Sequence, residues 1–372
     1  MSIGRYGAAA LANPAIVLLD RGARTACIAL QDATNATVAD LQLAGGAYGV
    51  LLNYTATSGL GGRGVLVQRV LFRDISGPDQ GYAPSDGGNP GGGAAVAFAA
   101  PAGANVTVAD VAIVHNLGLR IDSFFTQRAV HAPGRVALSN LTVANNTVSK
   151  CWYNCMSLVA GSDLLIAGNV FLRDTSARLA VYGVTDLIIG SLDGGSRAAI
   201  RDNCFIGRQV YAGEADGCNI DFETGATQVV VANNTFFRPW GAGVLVYGHG
   251  TNTSHDLTLA GNAFLECGCA TNRADRGGVA LTGCPPGNLP SLTATDNTFA
   301  LCPGGIGPGA YTGCADNVTH VRDRVLSNMS TAFCSLPQLV VGAAPPGGAH
   351  YLPVRATCST ANATLRYTTD GR

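Results

Sequence analysis

The sequence predicts an all-β chain wound as a parallel β-helix, and three observations carry that prediction. A short pattern recurs six times along the chain. Apolar and branched residues alternate within it, as they do on strands with one buried face. Helical spacing of apolar residues is nearly absent, whereas glycine is abundant, with 49 in 372 residues. An all-α or doubly wound chain would need amphipathic helices, which this sequence does not contain.

The pattern is two mostly apolar residues separated by one, then an Asn, then an apolar residue two places later. It occupies residues 141–148, 164–171, 198–205, 229–236, 257–264 and 292–299. Its asparagines are Asn146, Asn169, Asn203, Asn234, Asn262 and Asn297, separated by 23, 34, 31, 28 and 35 residues. Those separations suit a solenoid in which one repeat makes one coil. Equivalent residues then stack about 4.8 Å apart, giving a ladder of amides. Phe171, Phe205, Phe236, Phe264 and Phe299 would form a ladder of rings beside it. The Asn is expected to end the strand, because its side chain tolerates left-handed backbone and bonds its own main chain.

Weaker copies lie at residues 106–113, 65–72 and 36–43, with Val111, Val70 and Leu41 in place of the Asn. A degenerate copy follows at 318–325. After several repeats comes a second apolar strand opening on glycine, at 49–52, 243–248 and 278–281. Two or three strands per coil with loops of unequal length complete the parallel β-helix.

On these repeats, over about residues 22–333, the chain resembles the right-handed parallel β-helix proteins of the pectin-lyase-like group. The opening stretch 3–19 looks like the segment that starts such a helix in carbohydrate-active members. The resemblance implies a right-handed solenoid. It implies less about chemistry, because the group includes lyases, glycosidases, epimerases, adhesins and proteins without known activity.

From residue 336 the pattern changes. Pro345-Pro346-Gly347-Gly348 is a loop, and alternation at 351–355 and 363–371 closes on Asp370-Gly371, the signature of a hairpin. Arg366-Tyr367-Thr368-Thr369-Asp370-Gly371 resembles the C-terminal module of chitobiase and β-hexosaminidase-like enzymes. The chain is therefore divided into residues 1–335, the right-handed parallel β-helix, and 336–372, the start of a β-sandwich module.

A net charge of −1 points to neither nucleic acid nor an acidic membrane surface as partner. No apolar run approaches the roughly 18 residues of a spanning helix. Residues 8–19 are apolar but broken by Asn13-Pro14, and read as the first strand of a chain that begins further upstream. Twelve cysteines and ten N-x-S/T sites, at Asn35, Asn53, Asn105, Asn140, Asn145, Asn233, Asn252, Asn317, Asn328 and Asn362, favour an extracellular protein. Part of that excess is repeat chemistry, since Asn145 and Asn233 immediately precede the Asn ladder.

Cys151 with Cys155, and Cys267 with Cys269, have short spacings, with His249 and His255 nearby in sequence. Paired CxxC motifs of structural zinc are missing, so no metal is expected. Coil register instead puts Cys267 beside Cys302, each five residues after its Asn, within the span of a disulfide. Cys204 and Cys218 are the second candidate pair.

The densest polar cluster is residues 213–225. If Ile220 and Phe222 point into the coil, then Asn219, Asp221 and Glu223 point out. Asp221 and Glu223 would lie about 7 Å apart, close enough for paired carboxylates in glycoside hydrolysis. Tyr182 and Tyr247 fall at the same level of flanking coils and would stack against sugar rings. His249 is a candidate acid or base. The expected catalytic set is thus Asp221, Glu223 and His249, and the substrate-binding set Tyr182, Asn219 and Tyr247, with no cofactor.

Gly248-His249-Gly250 is similar to a polygalacturonase motif, but the adjacent Asp-Asp pair of those enzymes is missing. A lyase would use Arg201 or Arg208 as base, yet no compact calcium motif accompanies them. Two functions therefore compete. One is an extracellular carbohydrate-active enzyme, a hydrolase, lyase or epimerase, acting on a polysaccharide. The other is a non-catalytic surface or matrix rod. Long loops at 74–93 and 207–217 favour a walled groove and hence the first.

Overall fold

The computed structural model is all β, and the chain winds as a right-handed parallel β-helix. It describes residues 2–4, 15–18, 26–77, 93–127, 133–151, 154–158, 161–172, 187–189, 197–207, 217–222, 225–239, 241–247, 254–268, 277–282, 291–300, 311–313, 318–326, 338–341 and 354–357. Among these, 29 strands join one network in which each strand pairs in parallel with its counterpart on the next coil. A parallel crossover packs back onto its own sheet when it turns right-handed. Gln338–Val341 and Val354–Thr357 form a separate antiparallel pair. The predicted hairpin partner at 363–371 lies outside the described residues.

A coil contains three strands. In the coil that begins at Gly161–Ala167, the second strand is Val170–Leu172 and the third is Leu187–Ile189. Alternation fills the interior: Val143, Ile166, Ile200, Val231 and Leu259 stack in register on the first row and are at most 1 % exposed. The first and second rows meet at a corner, where the residue before each ladder Asn takes left-handed backbone. These residues include Asn145, Gly168, Asp202, Asn233, Gly261 and Asp296.

This corrects the expected role of the Asn. It does not make the left-handed turn, and it does not bond its own main chain. Its side chain points into the coil and bridges three coils. Asn203 Nδ2 donates to Ile166 O and to Asn234 Oδ1, both at 2.9 Å. Asn203 Oδ1 accepts from the main-chain N and the Nδ2 of Asn169, again at 2.9 Å. The same set recurs from Asn146 to Asn297. A buried corner has amide and carbonyl groups that no sheet ladder satisfies, and the stacked amides satisfy them.

The ladder extends past the six repeats at both ends. Asn116 precedes Asn146, and its Oδ1 accepts from the main-chain N of Val70 at 2.9 Å. Asp323 follows Asn297, accepting from its main-chain N and Nδ2 at 2.8 and 3.0 Å. The copies at 36–43, 65–72 and 318–325 have the expected register. The copy at 106–113 does not: Val111 pairs with Leu141, so the rung is Asn116 and the repeat lies five residues later.

The ring ladder is continuous. Phe171, Phe205, Phe236, Phe264 and Phe299 stack with successive centroids 5.1, 5.2, 4.8 and 4.7 Å apart and are buried. Their packing explains the glycine that opens the third strand. A Cβ on Gly243 would lie 2.6 Å from the Phe264 ring, and one on Gly278 would lie 2.4 Å from Phe299.

The disulfide prediction fails at its first choice. Cys267 is a buried thiol whose sulfur faces Phe236 O and Leu265 O at 3.7 Å, and Cys302 lies outside the described residues. The position five after the ladder Asn points into the core, as Ile121 and Cys151 on paired strands also show. No disulfide joins Cys204 to Cys218. Among the described residues the disulfide is Cys151–Cys155, across the bend into the third row, with Cα atoms 5.4 Å apart.

One buried carboxylate anchors a long insertion. Asp122 Oδ2 accepts from the main-chain N of Gly77 and of Gly93, both at 2.8 Å, and so clamps the two ends of segment 78–92. Asp122→Ala is expected to cost about 2–3 kcal/mol, because two charge-assisted bonds are lost and two amides are left without an acceptor. Urea titration reads the cost, and limited proteolysis between residues 77 and 93 should accelerate. An unchanged midpoint would remove the clamp.

Candidate active site on the third strand row

The third row runs through Ser123–Thr126, Met156–Leu158, Leu187–Ile189, Ile220–Phe222, Val244–Tyr247, Val279–Thr282 and Tyr311–Gly313. Ile220, Phe222, Val244, Val246, Val279 and Leu281 are buried in the main core, as alternation predicts. The residue between them, Asp221, pairs in register with position 188 on one side and Leu245 on the other. One column on the outer face therefore passes through Thr126, Ser157, position 188, Asp221, Leu245 and Ala280.

This face is covered, which contradicts the expectation that Asp221 is open to solvent. Asp221 is 3 % exposed, and Leu245 and Ala280 form a small apolar cluster with Cys218 and Ala242. The chain entering the third row is itself laddered from coil to coil. Gly241 donates its main-chain N–H to Gly217 O at 2.9 Å, and Gly268 donates to Gly241 O at 2.8 Å. Alternation correctly assigned Asp221 to the face opposite Ile220 and Phe222, but that face is roofed.

Asn219 is also buried, at 2 % exposure. It takes the register position of Gly243 and Gly278, where a Cβ would approach the ring stack, so it belongs to the corner of the coil. Tyr247 is placed in its strand, paired with Thr282. Glu223, Tyr182 and His249 lie outside the described residues.

The sequence reading missed the polar companions of Asp221. Thr126 and Ser157 are buried at 3 % and 8 % on the same column, and Gln127 and Asn154 are buried close by in sequence. Their signal was a polar residue at the alternate position of an apolar third strand. The six-fold pattern draws attention to the first row, where polar residues at the alternate position, such as Thr142, Thr258 and Thr293, are not buried.

Two thiols of the second strand row, Cys204 and Cys267, are poor nucleophiles. Burial pushes the Cys204 thiol up to about 11, and Cys267, enclosed in the core, is raised further. At neutral pH both stay protonated, and the thiolate is the reactive form. Among the described residues, no three His, Cys, Asp or Glu side chains are grouped to hold a metal.

With the geometry established, comparison shows what the chain is similar to. A family profile described as a right handed beta helix region matches residues 105–264. No curated protein matches the chain. Among solved structures, a GH136 lacto-N-biosidase from Eubacterium ramulus aligns with TM-score 0.50 at 12% identity, covering 87% of this chain and 58% of that one. An alginate lyase from Paenibacillus sp. aligns with TM-score 0.47 at 11% identity, covering 86% and 83%. The surface protein and adhesin PfbA of Streptococcus pneumoniae aligns with TM-score 0.41 at 13% identity, covering 80% and 66%. At such identities the likeness is one of fold. No helix of the described residues is long and apolar enough to cross a membrane.

Proposed function

We propose that this is an extracellular glycoprotein that takes a polysaccharide along the outer face of the third strand row. One observation carries the reading. A column of polar side chains, Thr126, Ser157 and Asp221, is buried on the face opposite the apolar core positions Ile220, Phe222, Val244, Val246, Val279 and Leu281. A few polar groups converging among apolar ones are the usual lining of a ligand site. The substrate class is carried over from the lacto-N-biosidase that shares the fold.

In this reading Asp221 and Glu223 are the carboxylate pair and His249 a further acid or base, while Tyr182, Asn219 and Tyr247 hold the sugar. Residues 336–372 are a separate module of the chitobiase C-terminal kind. A second reading rests on the burial of Asp221. A carboxylate under a roof of its own chain suits a non-catalytic rod that meets glycan only at its surface.

A polysaccharide array, read for both retention and released reducing or unsaturated ends, separates the two. The enzyme reading expects products, and Asp221→Asn should abolish them while a cooperative urea transition shows the coil still folded. Retention without products supports the rod. Absence of both, from a correctly folded chain, ends the glycan reading.

A further inference from the structure

The left-handed corners carry a second regularity. They recur every five residues within a coil, as at Asn140, Asn145 and Lys150, and they stack from coil to coil. Across neighbouring coils two kinds of corner pair repeat. In the first, an aspartate on one coil takes both Nε and Nη2 of an arginine on the next. Asp40 with Arg69, Asp74 with Arg120, Asp163 with Arg197 and Asp296 with Arg322 do this at 2.6–2.9 Å.

In the second kind, an asparagine faces a left-handed glycine on the next coil: Asn35 with Gly64, Asn145 with Gly168, and Asn233 with Gly261. A Cβ on those glycines would lie 2.5, 2.5 and 2.7 Å from the asparagine Oδ1. All three asparagines open an N-x-T triplet, with Thr37, Thr147 and Thr235 two residues on. Conformation alone does not explain the pairing. Asparagine suits a left-handed corner, but Arg69, His115, Asp202 and Gln228 hold equivalent corners without a glycine above them in this arrangement. At Asn145 and Asn233 the glycine leaves the amide uncapped where arginine caps the aspartates.

We propose that Asn145 and Asn233 are N-glycosylation sites, and that the glycine on the following coil keeps each amide clear for the sugar. Both residues are exposed. With Oδ1 turned to the glycine, the trigonal amide directs Nδ2 away from that coil, where a glycan has room. Asn140 is the contrasting case: it also opens an N-x-T triplet, but its Nδ2 donates to Asp110 Oδ1 at 2.8 Å.

The transfer needs a lipid-linked oligosaccharide pyrophosphate and the host's oligosaccharyltransferase. Asn Nδ2 attacks C1 of the sugar, and the C–N bond forms. The C1–O bond breaks with its electron pair leaving on the lipid pyrophosphate, and the amide loses one proton to a base. Asn145 and Asn233 stand three coils apart on one corner row, so the two glycans would be separated by about 14 Å along the axis. They would keep that edge in solvent and leave the third row as the contact face.

The proposal rests on the secretory location proposed above, and the test separates the two. The complete chain is placed behind a cleavable signal sequence, secreted from a eukaryotic host, and mapped by glycopeptide mass spectrometry before and after endoglycosidase. Glycan on most molecules at both Asn145 and Asn233, lost site by site in Thr147→Val and Thr235→Val, is the expected result. Native endoglycosidase should trim both sites without lowering the thermal midpoint. Bare Asn145 and Asn233 in secreted chain would overturn the assignment, as would glycan on Asn140 with Asn145 bare. Fractionation of the protein's own cells tests the location separately: chain retained in the cytosol would overturn the secretory reading without touching the corner geometry.

Discussion

Asn203→Ala is expected to lower stability by about 4 kcal/mol or more. The asparagine side chain takes part in four bonds, two as acceptor for Asn169 and two as donor to Ile166 O and Asn234 Oδ1. Alanine strands the main-chain N–H and side-chain amide of Asn169 and the carbonyl of Ile166 inside the coil. Buried groups left unsatisfied cost about 1–3 kcal/mol each. Asn203→Asp gives a sharper test of the ladder. Aspartate can still accept from Asn169, but it cannot donate onward, so it should cost nearly as much. At position 323 an aspartate already forms the last described rung, where accepting from Asn297 is the part it plays in the ladder. Urea titrations of the variants check this, and a loss under about 1 kcal/mol in both would show that the ladder is incidental.

Phe236→Ala should cost about 3–5 kcal/mol, as for other buried rings replaced by alanine. Phe236 is fully buried between Phe205 and Phe264, with centroids 5.2 and 4.8 Å away. Removing it leaves a cavity that two coils border, and the flanking rings are held by their own strand registers. Phe236→Leu retains most of the volume and should cost markedly less. The converse change, Gly243→Ala, adds a methyl 2.6 Å from the Phe264 ring and should cost about 1–3 kcal/mol through overpacking. If Phe236→Leu unfolds at as low a urea concentration as Phe236→Ala, the retained volume contributes nothing and the cavity argument fails.

The coil, its ring stack and most of its Asn ladder were legible because the contacts that make them join like to like. A residue at one place in the repeat meets its equivalent on the next coil, so a pattern recurring in sequence is also a list of contacts. Asn146 to Asn297 and Phe171 to Phe299 needed no further information. Register became ambiguous where one strand carries two similar alternations. Val106-x-Val108 and Val111-x-Ile113 are both buried pairs on Ala94–Val114, and only strand pairing identifies the second as the repeat.

Alternation places Asp221 on the face opposite Ile220 and Phe222, and the structure agrees. Whether that face meets water is decided by packing that alternation does not report: Leu245 and Ala280 of the same column are buried against Cys218 and Ala242, which precede the third strands. The left-handed corners are similar. Aspartate, arginine, histidine and asparagine all occupy them, so no residue type marks the turn, whereas stacking decides which corner is capped by arginine and which is left open by glycine. Periodicity reports contacts between equivalent residues; burial of the third row depends on contacts between residues that are not equivalent, and those exist only once the coils are wound.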